Sequence, residues 1–327
     1  MVQSIRLTGF TFGQNPLSKR EKEVVLKMSG AAGALSVFIG AVSYGMPGVI
    51  LSLATTSGAK IESLIPTQFL FSFVLFFILS ERKGKNSGEF HSKDKLLVFF
   101  TGIPLLLITY CFYNAVYYIG VPTSTLLMMQ SAWIAPVLNA IIKKRKLTRG
   151  EITSFVFIMI GVITSTGIFR GEMNLNIQGI LWGLAAGVSY SLVIISSTNI
   201  ANGVRVIDKA KLLTFGAFMA SLFLFNKNID IAPISESSMW SVMNAVFSSI
   251  LPVLLYGFGM PRTNTSLAGM LVTTELPAAF LFSYILLSDS ITPDQIVGCS
   301  IIIISIVAPM IFSRFRSRRT ITHYNSE

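Results

Sequence analysis

The sequence predicts an all-α polytopic membrane protein: ten transmembrane helices in two inverted five-helix repeats, with the N- and C-termini in the cytoplasm. Three observations carry that expectation. Charged residues make up only 13% of the 327 and hydrophobic residues 52%, whereas a soluble domain carries about 25% charged residues. Apolar segments of spanning length recur ten times along the chain. The fourth and ninth of these share a pattern, as do the first and sixth. A chain this long would form two soluble domains, and neither could cover its surface with so few charges. The mean hydropathy of +0.66 also excludes disorder, which needs low hydrophobicity and high charge.

The elements follow in order. Residues 1–29 are polar and of mixed charge, and they lack the charged-apolar-small order of a cleavable signal. They read as a cytoplasmic tail with a short surface helix. A spanning helix needs about 20 mostly apolar residues. The ten candidates are 31–54, 63–79, 96–119, 123–142, 152–169, 177–198, 210–225, 239–258, 265–287 and 291–313. The second and seventh are the shortest. Residues 314–327 form a basic cytoplasmic tail. The links are too short for a soluble catalytic domain.

The net charge is +11, with 26 Lys and Arg against 15 Asp and Glu. In a soluble protein such an excess points to nucleic acid; in a membrane protein it marks the cytoplasmic loops. Assigning the basic residues to alternating sides puts 23 on the side of the N-terminal tail and three, Lys60, Arg170 and Lys227, on the other. A missed or extra helix would scramble that split, so it supports ten spans. The 23 are spread over six segments with no single basic-aromatic patch, which removes the nucleic-acid reading.

The halves are legible as a repeat. The fourth segment and its exit run QSAWIAPVLNAIIKKRKLT, from Gln130 to Thr148, and the ninth runs TELPAAFLFSYILLSDSIT, from Thr274 to Thr292. Each has an internal proline, an aliphatic run and a Leu/Ile-Thr pair opening the next helix. The first segment has Gly40-Ala41-Val42-Ser43-Tyr44 and the sixth Ala186-Gly187-Val188-Ser189-Tyr190. The repeats therefore cover 30–169 and 170–313. Five spans is an odd number, so the second half must be inverted. On these residues, together with Glu275-Leu276-Pro277 and the exit Leu287 to Thr292, the chain resembles the EamA-like family of the drug/metabolite transporter superfamily over about 30–313. The family commonly has Glu-Pro, then Leu-Gly-Glu-x-Leu-Thr, at those places. This sequence departs from it in Leu276 and in the Lys143-Lys144-Arg145-Lys146 run. The resemblance implies a ten-helix secondary transporter, with efflux of amino acids, related metabolites or drugs favoured over uptake.

Glu275 is the one charged side chain placed near the centre of a span. Burying such a group costs about 2.5–3.5 kcal/mol on insertion scales, so it should face the interior, paired or protonated. There it serves proton coupling or substrate contact, or it simply bonds a backbone carbonyl freed near Pro277. In the third span Tyr110, Tyr113 and Asn114 share a face at i, i+3, i+4. Asn114 needs a polar partner in hydrocarbon, across helices or in a cavity. Gln130 and Trp133 share a face of the fourth span and invite either stacking on a planar substrate or packing between helices. Tyr44, Tyr190 and Tyr256 complete the candidate substrate- and proton-binding set. Pro47, Pro136, Pro252 and Pro277 lie inside spans, where each removes a backbone hydrogen bond and offers a hinge. Gly179, Gly183 and Gly187 make a small-residue stripe for an internal contact or a dimer seam.

No GxxxxGK[ST] loop is present, so ATP is not the direct driver. No metal motif and no cofactor motif appears, and Cys111 and Cys299 read as small buried hydrophobes. The expected function is secondary transport of a small organic metabolite by alternating access, with protons coupled through Glu275, in a bacterial inner membrane; a eukaryotic organelle membrane also fits. The alternatives are a non-transporting scaffold or pore, and a membrane-embedded enzyme acting on a lipid-linked substrate. Whether the chain is a monomer or a homodimer is open at this level.

Overall fold

A computed structural model describes residues 19–82, 90–165, 176–201, 203–225, 236–263, 265–288 and 292–305. The N-terminal tail before residue 19, the C-terminal tail, Arg170, Lys227, Asn264 and Asp289 lie outside the described residues. All regular structure described is helical, and a helix stands at each of the ten expected segments. In chain order the elements are α1 (Lys19–Tyr44), α2 (Pro47–Thr56), α3 (Ile61–Arg82), α4 (Ser92–Met128), α5 (Ser131–Ile142), α6 (Arg149–Ser165), α7 (Ile177–Asn199) and α8 (Val206–Phe225). Then follow α9 (Glu236–Asn244), a π-helical turn (Ala245–Ile250), α10 (Leu251–Gly259), α11 (Thr265–Val272), α12 (Glu275–Leu287) and α13 (Pro293–Ser305).

Among the described residues, six helical stretches are long and apolar enough to cross a membrane, against ten expected spans. Two of the four differences have physical reasons. The seventh rod, α8, begins with Asp208, Lys209 and Lys211. The fourth is divided, so that only 12 residues remain in α5. For α6 and α13 the described residues stop at Ser165 and Ser305.

The third and fourth expected spans share the single helix α4, whose 37 residues would extend about 55 Å if straight. Contacts with α7 show that the chain nevertheless turns back. Thr101 shares a 2.9 Å hydrogen bond with Ser196 near one end of α7, and Ile119 lies against Gly179 at the other. Beyond the turn, Leu127 lies against Gly183 and Gly187, and Asn139 accepts a 3.0 Å hydrogen bond from Asn199. The first arm therefore runs antiparallel to α7 and the second parallel to it, with the reversal between Ile119 and Leu127.

The small-residue stripe of α7 forms an internal seam. A Cβ on Gly187 would stand 2.8 Å from the Leu127 carbonyl oxygen, so only glycine admits this approach. The opposite stripe of the same helix, Leu181, Leu184, Val188 and Leu192, is large and exposed. Phe71, Val74 and Phe77 on α3 and Leu281 and Ile285 on α12 are exposed too. An apolar surface of this extent is what lipid, not water, covers.

Contacts tie basic residues to distant parts of the chain. Lys211 approaches Glu81 at 3.6 Å, Arg145 bonds Ser266, and Arg262 packs on Gly33. Helices α6 and α13 each open with a reciprocal capping box. The Glu151 amide donates to Thr148 while the Thr148 amide donates to Glu151; Thr292 and Gln295 repeat the arrangement.

Candidate functional site

Four helical breaks converge on the middle of the bundle. The first rod breaks at Gly45-Met46, and Pro47 then opens α2. The fourth breaks at Met129-Gln130 and the ninth at Thr273-Thr274. The eighth widens into the π-helical turn just before Pro252. A proline frees the carbonyl four residues earlier, which accounts for the breaks beside Pro47 and Pro277 and for the irregularity before Pro252. Pro136 instead lies inside a regular stretch of α5. It packs against Gly269 of α11, where the two divided rods cross.

The ends left by these breaks carry the polar side chains. Glu275 is the first residue of α12 and is 4% exposed, at the positive end of that helix's dipole. The Tyr190 hydroxyl donates to Glu275 Oε2 at 3.3 Å. It also lies 3.0 Å from the Tyr256 hydroxyl. Tyr190 has a single proton to give, so Tyr256 donates to Tyr190 and Tyr190 to Glu275, a directed chain of two hydroxyls ending on a carboxyl. The Tyr44 ring packs 5.6 Å from that of Tyr190, joining the first half to the second through the two Ser-Tyr positions. All three tyrosines are buried.

Two cavities adjoin this cluster, each about 30 Å³, room for one or two waters. One is lined by Tyr44, Tyr190, Tyr256, Ser248, Ser197 and Lys209 among apolar walls. The other is lined by Tyr44, Tyr113, Thr109, Thr125, Ser248 and Glu275. Tyr44 and Ser248 belong to both.

Tyr113 marks a second polar group that the sequence reading did not foresee. Its hydroxyl accepts a 2.9 Å hydrogen bond from Asn244, which also donates to Gln68. Both amides are fully buried, and Gln68 Nε2 and Asn244 Oδ1 have no hydrogen-bond partner among the described residues. Asn244 immediately precedes the π-helical turn, a feature frequent at functional sites. An amide inside an apolar span needs a partner; the rule that singled out Asn114 applies equally to Gln68 and Asn244.

The remaining candidates lie elsewhere. Tyr110 is wedged edge-on between Trp182 and Phe225. The Asn114 amide donates to the Tyr110 carbonyl of its own helix at 2.8 Å. Trp133 is 39% exposed, on the bundle exterior, and its indole donates to Gln130 at 2.8 Å. These four side chains line neither cavity. Of the face that Tyr110, Tyr113 and Asn114 share, only Tyr113 lines a cavity.

At the end of the bundle, Glu151 joins the halves. It accepts from Arg145 at 3.1 and 3.2 Å and from Ser266 of α11. Partial burial pushes its carboxyl up, but the hydrogen bonds from Arg145, Ser266 and Thr148 together outweigh this and hold it at about 2.

Known proteins resemble this chain in sequence pattern and in fold. The profile of the EamA-like transporter family matches twice, over residues 31–167 and 177–310. A solved crystal structure matches 87% of this chain and 98% of its own with a TM-score of 0.69 and 14% identity, a likeness of fold alone. No curated protein matches. With two family units over most of a helical, lipid-exposed chain, the protein belongs to the EamA-like transporter family, within the drug/metabolite transporter superfamily.

Proposed function

We propose that this multi-pass membrane protein is a secondary transporter that exports a small organic metabolite by alternating access. Its halves are inverted and its termini cytoplasmic, with the basic segments on that side, in a bacterial inner membrane. The observation that carries the reading is the placement of Glu275. A buried carboxyl stands at a helix break between the halves, at the end of a tyrosine hydroxyl chain and beside two small cavities. A scaffold has no use for such a group, since an intramembrane charge costs energy to bury. An interface between repeats with broken helices is the arrangement in which secondary transporters bind substrate.

In this reading Glu275 takes up a proton when the cavity opens to one side and yields it, through Tyr190 and Tyr256 or to substrate, when it opens to the other. The substrate lies along the tyrosines, and the breaks at Pro47, Pro252 and Pro277 absorb the movement. Neither ATP nor another cofactor takes part.

An export screen under overexpression identifies a substrate, and purified protein in liposomes then tests the coupling. Wild type is expected to drive substrate movement from an imposed pH gradient. Glu275→Gln, with the polar contact to Tyr190 kept, is expected to lose that drive. Full gradient-driven flux in the variant contradicts the coupling role.

A further inference from the structure

Lys209 has no place in the hydroxyl chain just described. It lies at the start of α8, is 8% exposed, and forms part of the wall of the cavity that Tyr44, Tyr190 and Tyr256 close. An ammonium has three protons to donate. One goes to the Ile200 carbonyl at 2.5 Å. The adjacent carboxylate is already engaged, because Asp208 accepts from Arg205 at 2.7 and 3.0 Å and from Ser80 at 2.6 Å. Lys209 therefore has a carbonyl partner and no carboxylate partner among the described residues. Buried charges are ordinarily paired, and Lys209 is the one charged residue in the lining of this cavity. Ser197 lines the same cavity. Leu105, Ile108, Val193, Leu213 and Val253 make up much of the rest of its wall.

We propose that Lys209, assisted by Ser197, is the anion-binding end of the chamber and holds the carboxylate of an amphipathic organic acid. Its apolar body lies along the aliphatic wall and its far end reaches the tyrosines. A single ammonium and one hydroxyl match the charge and acceptor set of a carboxylate better than those of a phosphate, which takes up to two negative charges and three acceptor oxygens. The site names a substrate class for the transport reading and rests on it. Opening of the cavity is the step that admits the ligand.

The test uses purified full-length protein and three families of probes that share their apolar bodies. These are straight-chain and phenyl-terminated carboxylates of graded length, the matching amides, and the matching amines. Thermal stabilisation is read for wild type, Lys209→Gln and Lys209→Arg. At least one carboxylate is expected to stabilise wild type where its amide and amine do not. Lys209→Gln should weaken that binding about tenfold or more, the loss of one charge-assisted hydrogen bond, and Lys209→Arg should retain part of it. A purely structural lysine, tied to Ile200, would lower the melting temperature of Lys209→Gln and leave carboxylate preference unchanged, which overturns the proposal. Stabilisation by amines or amides alone, lost in Glu275→Gln, overturns it while sparing the transport reading. No stabilisation by any probe overturns it as well, and gradient-driven flux with a screened substrate then decides whether the transport reading falls too.

Discussion

Glu275 and Glu151 are both glutamates at the start of a helix, yet they do different work. Glu275 is buried and bonds a tyrosine hydroxyl, so its replacement is expected to alter transport more than folding. Glu275→Gln should reduce gradient-driven flux by about tenfold, the equivalent of about 1.4 kcal/mol, and flatten its dependence on pH. Flux assays across a pH series check this. Glu151 pairs with a cation and caps a helix, so its replacement should alter stability. Its carboxyl is held below the ordinary value of about 4.3, at about 2. The stabilisation is therefore present above the unfolded value and lost as pH falls toward the folded one. Glu151→Gln should cost about 1–2 kcal/mol at pH 7, with allowance for the solvent screening of the one-third exposed Arg145. The difference from wild type should vanish between about pH 4 and pH 2 in melting experiments. At this scale Glu275 was legible because a charge inside a span is costly and must face the interior, paired or protonated. Gln68 and Asn244 were missed because the amide rule that picked out Asn114 was not carried to the second and eighth spans. Lys209 was counted as a topological charge because it sits one residue outside its expected span.

Among elements, the glycine stripe of α7 and the divided rods define where helices approach and where they yield. Gly187→Leu should force α7 off α4 and destabilise by about 1–3 kcal/mol, the usual cost of overpacking. Gly150→Ala should be neutral or slightly stabilising, since nothing lies within 4 Å of the added carbon. Melting temperatures of the two variants test the pair. The repeat was readable from sequence because its markers have local causes. The Leu/Ile-Thr pairs are capping boxes in both halves, and the Ser-Tyr pairs bring the two aromatic rings together. What stayed hidden was the face of each helix. Spacing put Tyr110, Tyr113 and Asn114 on one side, but only packing against Trp182 and Phe225 decides that Tyr110 turns away. The division of the fourth rod was hidden too, because the break at Met129-Gln130 stands well before Pro136.

Over the whole molecule, the sorting of 26 basic residues leads to a definite expectation. Reporters fused before residue 1 and after residue 327 should both report the cytoplasm, and one inserted beside Arg170 the opposite side. Opposite sides for the two ends would leave an odd number of spans and remove the inverted repeat. The central claim is that the chamber between the halves opens to each side in turn. Ser248 lines both cavities, so a cysteine placed there, with Cys111 and Cys299 replaced, reports on that chamber directly. Membrane-impermeant thiol reagents are applied from one face and then from the other in oriented vesicles. Alternating access predicts that Ser248→Cys reacts from both faces, that a gradient favouring one orientation shifts reactivity to one face at the other's expense, and that substrate protects it. Reaction from one face alone under every gradient, or from both at once without mutual exclusion, would contradict the account.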